Sequence, residues 1–477
     1  MKPPIFARQK EIKVLSQLFQ SGKPEFLAVY GRRRVGKTFL IREFFRNQGL
    51  YFALTGVKGA SIKKQLKNFS GEFTRVFGKE QKPPASWFDA FTHLRQAIEK
   101  VKSPDRIILF FDELPWLAGP RSDFLQDLDH FWNRYMSEDP RVIVVVCGSA
   151  ASWMIKKVIR DKGGLHGRLT AEMRLLPFTL QETEEFLKYR DITLTRKAII
   201  DIYMAIGGIP KYLNYVEKGK SALQTISYLC FEGPLVDEFD ELYASLFEKH
   251  TRHVNIVKVL AEHPYGLTKS VLAKKTKMTP GGGMNSILDE LEQSGFILLI
   301  KDFEKQKKES SFRLIDEYSL FYLKWAAKAK ENKEDKFWMS VFNSSLGSAW
   351  AGYAFEMLCL KHLSKIKGAL GISGILTNAS GWIYKPPKCS KQKSAQIDLL
   401  IDRADNCINL CEIKYCNEEF VINKSYDQQL REKKALFLSH TNTKKSVFIT
   451  LITPYGVKKN AGYFETADVT LTMDDLF

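Results

Sequence analysis

The segment FLAVYGRRRVGKTFLIREFF places a glycine-rich loop between an apolar run and a helical pattern. The loop reads Gly31-x-x-x-x-Gly36-Lys37-Thr38, and apolar residues recur at helical spacing after it. The two glycines let backbone N–H groups curl around phosphate oxygens, and a helix N-terminus adds partial positive charge. Lys37 would reach the β- and γ-phosphates, and the Thr38 hydroxyl would coordinate Mg²⁺. The segment therefore predicts a strand, a phosphate-binding loop and a helix that bind and hydrolyse Mg-ATP.

Three consecutive arginines extend the predicted nucleotide site. Arg32, Arg33 and Arg34 make the loop more positive than the pattern needs, so they would touch phosphate or a neighbouring subunit. The alternative is a solvated face of the loop. The predicted loop contacts to the nucleotide are Gly31, Arg32, Arg33, Arg34, Val35, Gly36, Lys37, Thr38 and Phe39.

An acidic pair follows another apolar run, in the segment RIILFFDELPWL. Residues 107–111 predict a buried parallel strand, and Asp112 at its end would hold Mg²⁺ through water. Glu113 would orient or deprotonate the attacking water, unless the two acids merely open a turn. Ser149 follows a further apolar strand, where its hydroxyl would sense the γ-phosphate or serve as a turn residue.

Five apolar runs alternate with helical stretches in this part of the chain. The predicted strands begin at residues 26, 50, 107, 142 and 171, and the last of them ends at residue 178. Such alternation predicts an α/β domain with a mostly parallel sheet, whose site lies at the carboxyl ends of the strands.

Composition narrows the class of protein. Lys and Arg outnumber Asp and Glu by 18 in 477 residues, and the pI is near 9.3. This balance favours nucleic acid as a partner beside nucleotide, although a protein can simply be basic. Seven cysteines without a CxxC pair indicate reduced thiols rather than disulfides or a zinc site. No apolar stretch approaches membrane length and no leader-like run opens the chain, so we expect a cytoplasmic protein with no membrane partner.

Five separated motifs follow one another in residues 1 to about 330: GRRRVGKT, FDELPWL, VVCGSAASWM, LHGRLT and GGIPKYL. Together they resemble the archaeal-type ATPase family of the AAA+/STAND group. The resemblance implies a P-loop ATPase core with strand order 5-1-4-3-2 and a helical lid. It also implies that Arg168 of LHGRLT acts in trans on the γ-phosphate of a neighbour in a homo-oligomer. From the residues alone, Arg168 could equally be a surface or structural arginine.

The same resemblance implies nucleotide contacts away from the loop. Gly207, Gly208 and Pro210 of GGIPKYL would lie in the lid near the adenine. Arg8 and Glu11 of FARQKE resemble the N-terminal box of the family. We therefore expect Arg8 and Pro210 to contact the nucleotide.

Residues 249–318 predict a winged helix-turn-helix, a module that belongs to the same family architecture. Thr268 would cap its second helix, Thr279 and Pro280 would open the third, and Gly295 would end it. The predicted core-facing stripe of the third helix consists of Met284, Ile287, Leu288 and Leu291.

The basic residues of this module lie outside its third helix. That helix carries Asp289, Glu290 and Glu292, so phosphate contact is favoured over the reading of bases. The alternative is a module for protein contact. The basic side chains are Lys269, Lys274 and Lys275 on the second helix and Lys301, Lys305, Lys307 and Lys308 on the wing.

Two predicted strands near the C-terminus flank the turn RADN in the segment QIDLLIDRADNCINLCEIKY. A hairpin symmetric about Asp405 would set Asp398 opposite Glu412, and directly opposed residues share a face. Lys414, two residues beyond Glu412, points to that face too. Unpaired acids are costly beside apolar residues, so a cation such as Mg²⁺ or this lysine must offset them.

This constellation resembles the PD-(D/E)xK nuclease fold, an α/β restriction-endonuclease-like domain that commonly accompanies this ATPase family. The resemblance implies that Asp398 and Glu412 bind Mg²⁺ or Mn²⁺, and that Lys414 supports the attacking water. It also implies that Glu356 joins the metal ligands from a preceding helix. Ile397 stands where the motif has proline, and the alternative is a structural salt bridge on an inactive nuclease fold. A basic loop upstream would steer a phosphate backbone, or is simply a solvated loop; it contains Lys385, Lys388, Lys391 and Lys393.

The predicted architecture is an α/β multidomain protein. Its five parts are an ATPase core at 1–179, a helical lid at 180–248, a winged helix-turn-helix at 249–318, a helical linker at 319–345 and a nuclease-like domain at 346–477. Two functions fit this architecture. One is an ATP-driven enzyme that processes nucleic acid. The other is a nucleotide-switched regulator or scaffold, acting with a partner protein, whose C-terminal domain only binds.

Overall fold

The computed structural model describes residues 5–78, 82–102, 106–160, 165, 167–247, 249–303, 310–332, 337–386, 394–459 and 466–477. By its internal contacts the chain divides into two units, Met1–Pro177 and Phe178–Phe477. The finer division into five parts stays a prediction. Of the helices in the described ranges, none is long and apolar enough to cross a membrane.

A five-stranded parallel sheet forms the centre of the first unit. Its strands lie side by side in the order β2-β3-β4-β1-β5, which is the order that the family resemblance implies. Every residue of β3 and β4 is buried, because helices cover both faces of a parallel sheet. The last strand is shorter than predicted and ends at Arg174. The strands are β1 (Glu25–Tyr30), β2 (Leu50–Thr55), β3 (Ile107–Asp112), β4 (Val142–Gly148) and β5 (Ala171–Arg174).

Helices pack on this sheet through a buried aromatic cluster. The Phe91 ring stacks on Phe131 with centroids 5.0 Å apart and meets the edges of Phe111 and Phe124 at 5.8 and 5.4 Å. Burial of each such ring stabilises the fold by roughly 1.5–3 kcal/mol. The helices are α1 (Gln9–Gln20), α2 (Lys37–Phe45), α3 (Ile62–Phe77), α4 (Trp87–Glu99), α5 (Leu114–Leu117), α6 (Phe124–Arg134) and α7 (Ala151–Met154), with a π-helical turn at Ile155–Ile159.

The second unit begins with a group of helices. Thr179 starts the first of them through a reciprocal capping box with Glu182, a sequence signal that fixes where the helix begins. The helices are α8 (Leu180–Tyr189), α9 (Arg196–Ile206), α10 (Pro210–Leu213), α11 (Ala222–Ser227) with a π-helical turn at Tyr228–Glu232, and α12 (Glu238–Leu246).

Three helices and a small antiparallel sheet of order β6-β8-β7 come next. The predicted stripe of the third helix is buried at all four positions. The prediction that Thr279 and Pro280 open that helix was wrong, because Gly281 is still extended (φ 167°) and the helix begins at Gly282. The predicted tip of the wing lies outside the described residues. The elements are α13 (His250–Ala261), β6 (Leu267–Thr268), α14 (Lys269–Thr276), α15 (Gly282–Gln293), β7 (Ile297–Ile300) and β8 (Ser311–Leu314).

A second five-stranded sheet lies near the C-terminus, in the order β13-β12-β11-β10-β9. Its central strand pairs antiparallel with β10 and parallel with β12. The helices of this region are α16 (Glu317–Phe321), a π-helical turn at Tyr322–Ala326, α17 (Ala327–Asn332), α18 (Phe337–Val341), α19 (Ser345–Lys361), α20 (Leu363–Ala369) and α21 (Lys424–Thr441). The strands are β9 (Thr377–Tyr384), β10 (Ala395–Arg403), β11 (Cys407–Ile413), β12 (Ser446–Ile452) and β13 (Val469–Leu471).

The register of the hairpin from β10 to β11 was predicted correctly. Asp402 lies opposite Ile408 and Leu400 opposite Leu410, as symmetry about Asp405 requires. The pairing with β11 extends as far as Leu399 opposite Cys411. The pairing of β10 with β9 shifts register between Ile397 and Leu400, which is where Asp398 lies, so the predicted position of Asp398 opposite Glu412 stays a prediction.

Candidate functional sites

Two glycines give the loop between β1 and α2 its shape. Gly31 has φ +145°, and a Cβ atom there would lie 2.2 Å from the carbonyl oxygen of Leu175. Gly36 has φ +93° and stands immediately before the first residue of α2. At position 31 a side chain would collide with the backbone, and at position 36 the positive φ disfavours any residue with a side chain. The loop therefore requires glycine at both positions.

The ammonium group of Lys37 lies inside the loop. Its Nζ donates hydrogen bonds to the carbonyl oxygens of Gly31 and Arg32, both at 2.9 Å, and to Ser149 Oγ at 3.1 Å. The side chain is buried. A buried cation at a helix N-terminus, in a loop of backbone N–H groups, favours an anion.

Two oxygen ligands suited to Mg²⁺ lie beside this lysine. Thr38 Oγ1 donates to Asp112 Oδ2 at 2.8 Å, and the backbone N–H of Glu113 donates to Asp112 Oδ1 at 2.9 Å. Asp112 is the last residue of β3 and is buried. A carboxylate next to a hydroxyl is the donor set that this hard ion takes in phosphate-binding loops, so the residues fit the metal.

Ser149 links the lysine to the second acid. Its hydroxyl accepts from Lys37 Nζ and donates to Glu113 Oε1 at 2.8 Å. Glu113 adopts a left-handed conformation (φ 48°) directly after β3, which turns its side chain out of the strand. The structure thus brings the predicted phosphate-binding lysine, Lys37, together with four residues at which the sequence predicts catalysis or metal binding: Thr38, Asp112, Glu113 and Ser149.

The remaining predicted nucleotide contacts lie in several places. Arg8 is buried, donates to the carbonyl oxygen of Val35 at 3.0 Å and pairs with Glu11 at 3.6 Å, so the predicted N-terminal box contacts the loop. Arg168 is exposed in the first unit. Pro210 begins α10 in the second unit. The roles of these residues stay predictions.

A second cluster of charged residues surrounds the carboxylate of Glu412 at the end of β11. Lys414 Nζ lies 2.9 Å from Glu412 Oε1. Lys433 Nζ, from α21, donates to Oε1 at 2.9 Å and to Oε2 at 2.7 Å. Across the hairpin, Asp398 Oδ2 accepts from the backbone N–H of Ile413 at 3.4 Å. The predicted acids and lysine therefore lie at one place, with a second lysine that was not predicted.

The pKa is raised for two of the three acids in this cluster and lowered for the third. Burial raises the pKa of Glu356, which also feels Asp398. Burial likewise raises the pKa of Asp398, and Glu412 adds to the effect. For Glu412 burial also acts to raise the pKa, but Lys433 and Lys414 outweigh it and the pKa is lowered. Glu412 is thus the acid that stays ionised most readily.

Lys414 and Lys433 occupy both carboxylate oxygens of Glu412, which a metal ion would need. Across the described residues, no three His, Cys, Asp or Glu side chains are grouped so that they could hold a metal ion together. Glu356 Oε2 is buried without a hydrogen-bond partner in the described part of the chain. Asp398 and Glu412 offer two hard oxygen donors, so a divalent cation fits only where lysine is displaced.

Lys433 could have been found from the helical pattern around it. It falls three residues after Leu430 and four before Phe437, and both of these face the core. A lysine on the inward face of a helix needs a charged partner. Of the predicted basic loop, Lys385 is described, whereas Lys388, Lys391 and Lys393 lie outside the described residues.

Comparisons with known proteins agree with the geometry of the first site. Residues 5–216 match the family model of an ATPase domain predominantly from Archaea. An uncharacterized protein of Methanocaldococcus jannaschii is 28% identical over 283 residues, which cover 57% of this chain and 58% of that relative. An uncharacterized ATP-binding protein of the same organism is 42% identical over 41 residues, 9% of this chain and 70% of the relative.

Among solved structures, the Walker-type ATPase of Pyrococcus abyssi is similar at 18% identity with a TM-score of 0.47, over 67% of this chain and 96% of that one. The chain spans about three fifths of the length of the longer curated relative. Through residues 5–216, the chain belongs to the family of ATP-binding ATPase domains found predominantly in Archaea.

Proposed function

We propose that the first unit hydrolyses Mg-ATP with a division of labour among five residues. Lys37 binds the β- and γ-phosphates, Thr38 and Asp112 hold Mg²⁺, and Glu113 orients and deprotonates the attacking water. Ser149 keeps Glu113 and Lys37 in register. The bound ion neutralises charge on the phosphate oxygens.

One observation carries this proposal: the hydrogen-bonded series from Lys37 through Ser149 to Glu113, beside the contact of Thr38 with Asp112. The phosphate-binding cation and the water-activating carboxylate are thereby held by one hydroxyl. When a γ-phosphate binds to Lys37, the movement of the lysine would be transmitted to Glu113 through the side chain of Ser149.

The test separates binding from turnover. Lys37→Ala should abolish tight binding of ATP, because the cationic contact to phosphate is lost. Glu113→Gln should keep binding and lower turnover by roughly 10²–10⁴-fold, because the amide cannot take a proton from water. Glu99→Gln, a change at an acid that is 55% exposed on α4, is the matched control. Turnover by Glu113→Gln at the rate of the control would reject the assigned role.

For the second unit we propose a metal-dependent site that acts on nucleic acid. The support is the hydrogen bond from the backbone N–H of Ile413 to Asp398 Oδ2 at 3.4 Å, which brings Asp398 next to the end of β11, together with the lysine beside Glu412 and the excess of 18 basic residues in the chain. A divalent ion held by the two acids would lower the pKa of bound water and stabilise charge on a scissile phosphate. Lys414 would support that water.

Asp398→Asn tests this site. We expect it to abolish Mn²⁺ binding and any cleavage of DNA or RNA at the second unit while ATPase activity stays intact. Asp402→Asn, four residues further along the same strand and paired with Lys445 at 2.5 Å, controls for the general loss of a carboxylate. If Asp398→Asn only lowered the stability and left metal binding unchanged, the metal site would be rejected and Asp398 would have a structural role.

A regulator or scaffold with an inactive C-terminal domain is the second candidate. It is favoured by the two lysines that neutralise Glu412 and by the failure of the three described acids to form one metal group. In that case nucleotide binding would change the affinity for a partner protein. Nuclease activity measured together with ATP turnover, with and without DNA and RNA, separates the two candidates.

For α13–α15 with β6–β8 we propose contact with the phosphate backbone, as in a winged helix-turn-helix. The support is chemical: lysines stand on α14 and at the start of the wing, and acids on α15. Glu290 of α15 is engaged by His253 Nε2 at 2.8 Å, so it is part of the packing rather than of a groove-reading surface. Binding to a short duplex should therefore weaken steeply with salt and depend little on sequence.

A further inference from the structure

A groove of about 650 Å³ runs along the edge of the first sheet, between α2 and the last turns of α3. Its floor is one face of the outermost strand, β2, where Tyr51 and Ala53 point to the same side. Ala53 lies beside Phe110 of β3, and the rings of Tyr51 and Phe110 are 6.4 Å apart. At one end this β2 groove reaches Thr38, whose hydroxyl donates to Asp112.

The walls of the β2 groove are basic. Arg42 and Arg46 stand one helical turn apart on the α2 wall, and Arg75 stands on the α3 wall. Each of the three side chains is more than half exposed. A guanidinium group keeps its charge at any physiological pH, and its planar set of donors matches the oxygens of a phosphate group. The groove therefore favours an anion over a neutral ligand.

Two acids hold two of these arginines in fixed orientations. Glu72 accepts from the backbone N–H of Ala53 at 3.1 Å, and from Nε and Nη2 of Arg75 at 2.8 and 2.5 Å. Glu43, whose side chain is 3% exposed, accepts from Nε of Arg42 at 2.9 Å. Within the described residues, these bonds leave Nη1 of Arg75 and both Nη groups of Arg42 for a ligand. Because the side chains are already ordered, a ligand loses little affinity in ordering them.

The environment of Tyr51 shows that the two walls and the magnesium end of the groove lie close together. Burial raises the pKa of the Tyr51 phenol and Asp112 adds to the rise, whereas Arg42 and Arg75 act against it. A single phenol thus feels an arginine from each wall and the carboxylate of the first site. An anionic chain that lies across this floor would contact both walls and end beside Thr38.

We infer that the β2 groove binds the phosphate backbone of a single-stranded nucleic acid, with phosphates on Arg42 and Arg75. Pockets of this volume hold one small ligand, so a few nucleotides of one strand fit and a duplex does not. Contacts to phosphate do not read the bases, so binding is independent of sequence. The excess of 18 basic residues attracts such a strand from a distance. The site requires neither ATP turnover nor a metal ion in the second unit.

Salt dependence tests the contact in the full chain without ATP. The probe is a labelled mixed-sequence DNA strand of about 12 nucleotides, followed by fluorescence anisotropy at several salt concentrations. Arg75→Gln should weaken binding about tenfold and reduce the slope of log K against log salt by about 0.7, because one charged phosphate contact is lost. Arg42→Lys keeps the charge and the partner of Glu43 but loses the planar donors, so binding should weaken at an unchanged slope. Arg95→Gln, an arginine of α4 that is 3.2 Å from Glu99, is the matched control and should bind like the unsubstituted protein.

A duplex of the same length separates this groove from the proposed phosphate contact of α13–α15. Arg75→Gln should leave the affinity for the duplex unchanged, because the lysines of the second unit are intact. Equal affinity of Arg75→Gln and Arg95→Gln for the single strand would overturn the inference, and so would an equal loss of strand and duplex binding in Arg75→Gln. If Arg75→Gln lowers the melting temperature, Arg42→Lys decides, and unchanged strand binding there overturns the inference.

An acidic protein segment is the competing occupant. A poly-glutamate peptide with the same number of charges should displace the labelled strand poorly, because carboxylates on side chains do not reproduce the spacing of a phosphate backbone. Displacement as effective as that by the unlabelled strand would assign the β2 groove to an acidic protein partner and overturn the inference.

Discussion

His362 makes the stability of the second unit depend on pH. The ring is buried between the end of α19 and the start of α8. Its Nε2 accepts a hydrogen bond from the backbone N–H of Leu180 at 3.1 Å, and Nδ1 bonds the carbonyl oxygen of Leu358 at 2.9 Å. Burial lowers the pKa of His362 to about 4, and Lys361 and Lys365 act in the same direction. If Nε2 also carried a proton, its N–H would face the backbone N–H of Leu180, and this hydrogen bond would be lost.

The size of the effect follows from that value. An unfolded histidine has a pKa near 6.5, so between pH 6.5 and 4 the unfolded chain binds a proton that the folded chain refuses. The contribution of His362 to the free energy of unfolding is fully present above pH 6.5 and is lost as the pH falls towards 4. The gap from 6.5 to about 4 corresponds to about 3 kcal/mol in full, of which about 2 kcal/mol is lost by pH 5.

Urea unfolding of the full chain between pH 7.5 and 4.5 measures this loss. His362→Gln keeps a donor and an acceptor but has no proton to gain. The unsubstituted protein should be the more stable at pH 7.5, and its advantage should shrink by about 2 kcal/mol at pH 5. A constant difference between the two proteins across that range would show that His362 titrates normally in the folded chain.

Three further changes test other parts of the structure. A mixture of Arg168→Ala and Lys37→Ala proteins should regain ATPase activity that neither shows alone, and no regain in a protein that stays monomeric would reject a role in trans. Arg106→Met should lower the free energy of unfolding in urea by about 3 kcal/mol or more, because five hydrogen bonds from a buried guanidinium, including those to Phe19 and Leu18, are lost. A loss below about 1 kcal/mol would contradict this. Thr179→Ala should cost about 1 kcal/mol in the same assay through loss of the helix cap, and an unchanged midpoint would show that α8 is held by packing alone.

The parts of the fold that were predicted well are those with local signals. The glycine spacing defines the loop before α2, and fully buried strands read as continuous apolar runs. The hairpin register follows from symmetry about the turn at Asp405. The start of α15 was misplaced because the backbone of Gly281, not a capping residue, decides it.

The contacts between distant segments could not be predicted in the same way. Lys433 lies 21 residues from Glu412 on another element, and only the packing of α21 on the sheet brings the two together. The hydrogen bond from Ser149 to Glu113 spans 36 residues and depends on two adjacent strands ending at the same level. Sequence patterns name such residues as candidates, but their pairing is a property of the assembled sheet.

The strand order gives the two candidate sites different folding histories. Lys37 and Ser149 are 112 residues apart and meet only after β3 and β4 have entered the sheet between β1 and β2. The contact of Asp398 with Ile413 closes only 15 residues within one hairpin. Closing the longer loop costs about 2 kcal/mol more in chain entropy. On the ribosome, a nascent chain that stops before β3 carries a phosphate loop without its acidic partner, whereas the hairpin of the second site can form as soon as it emerges.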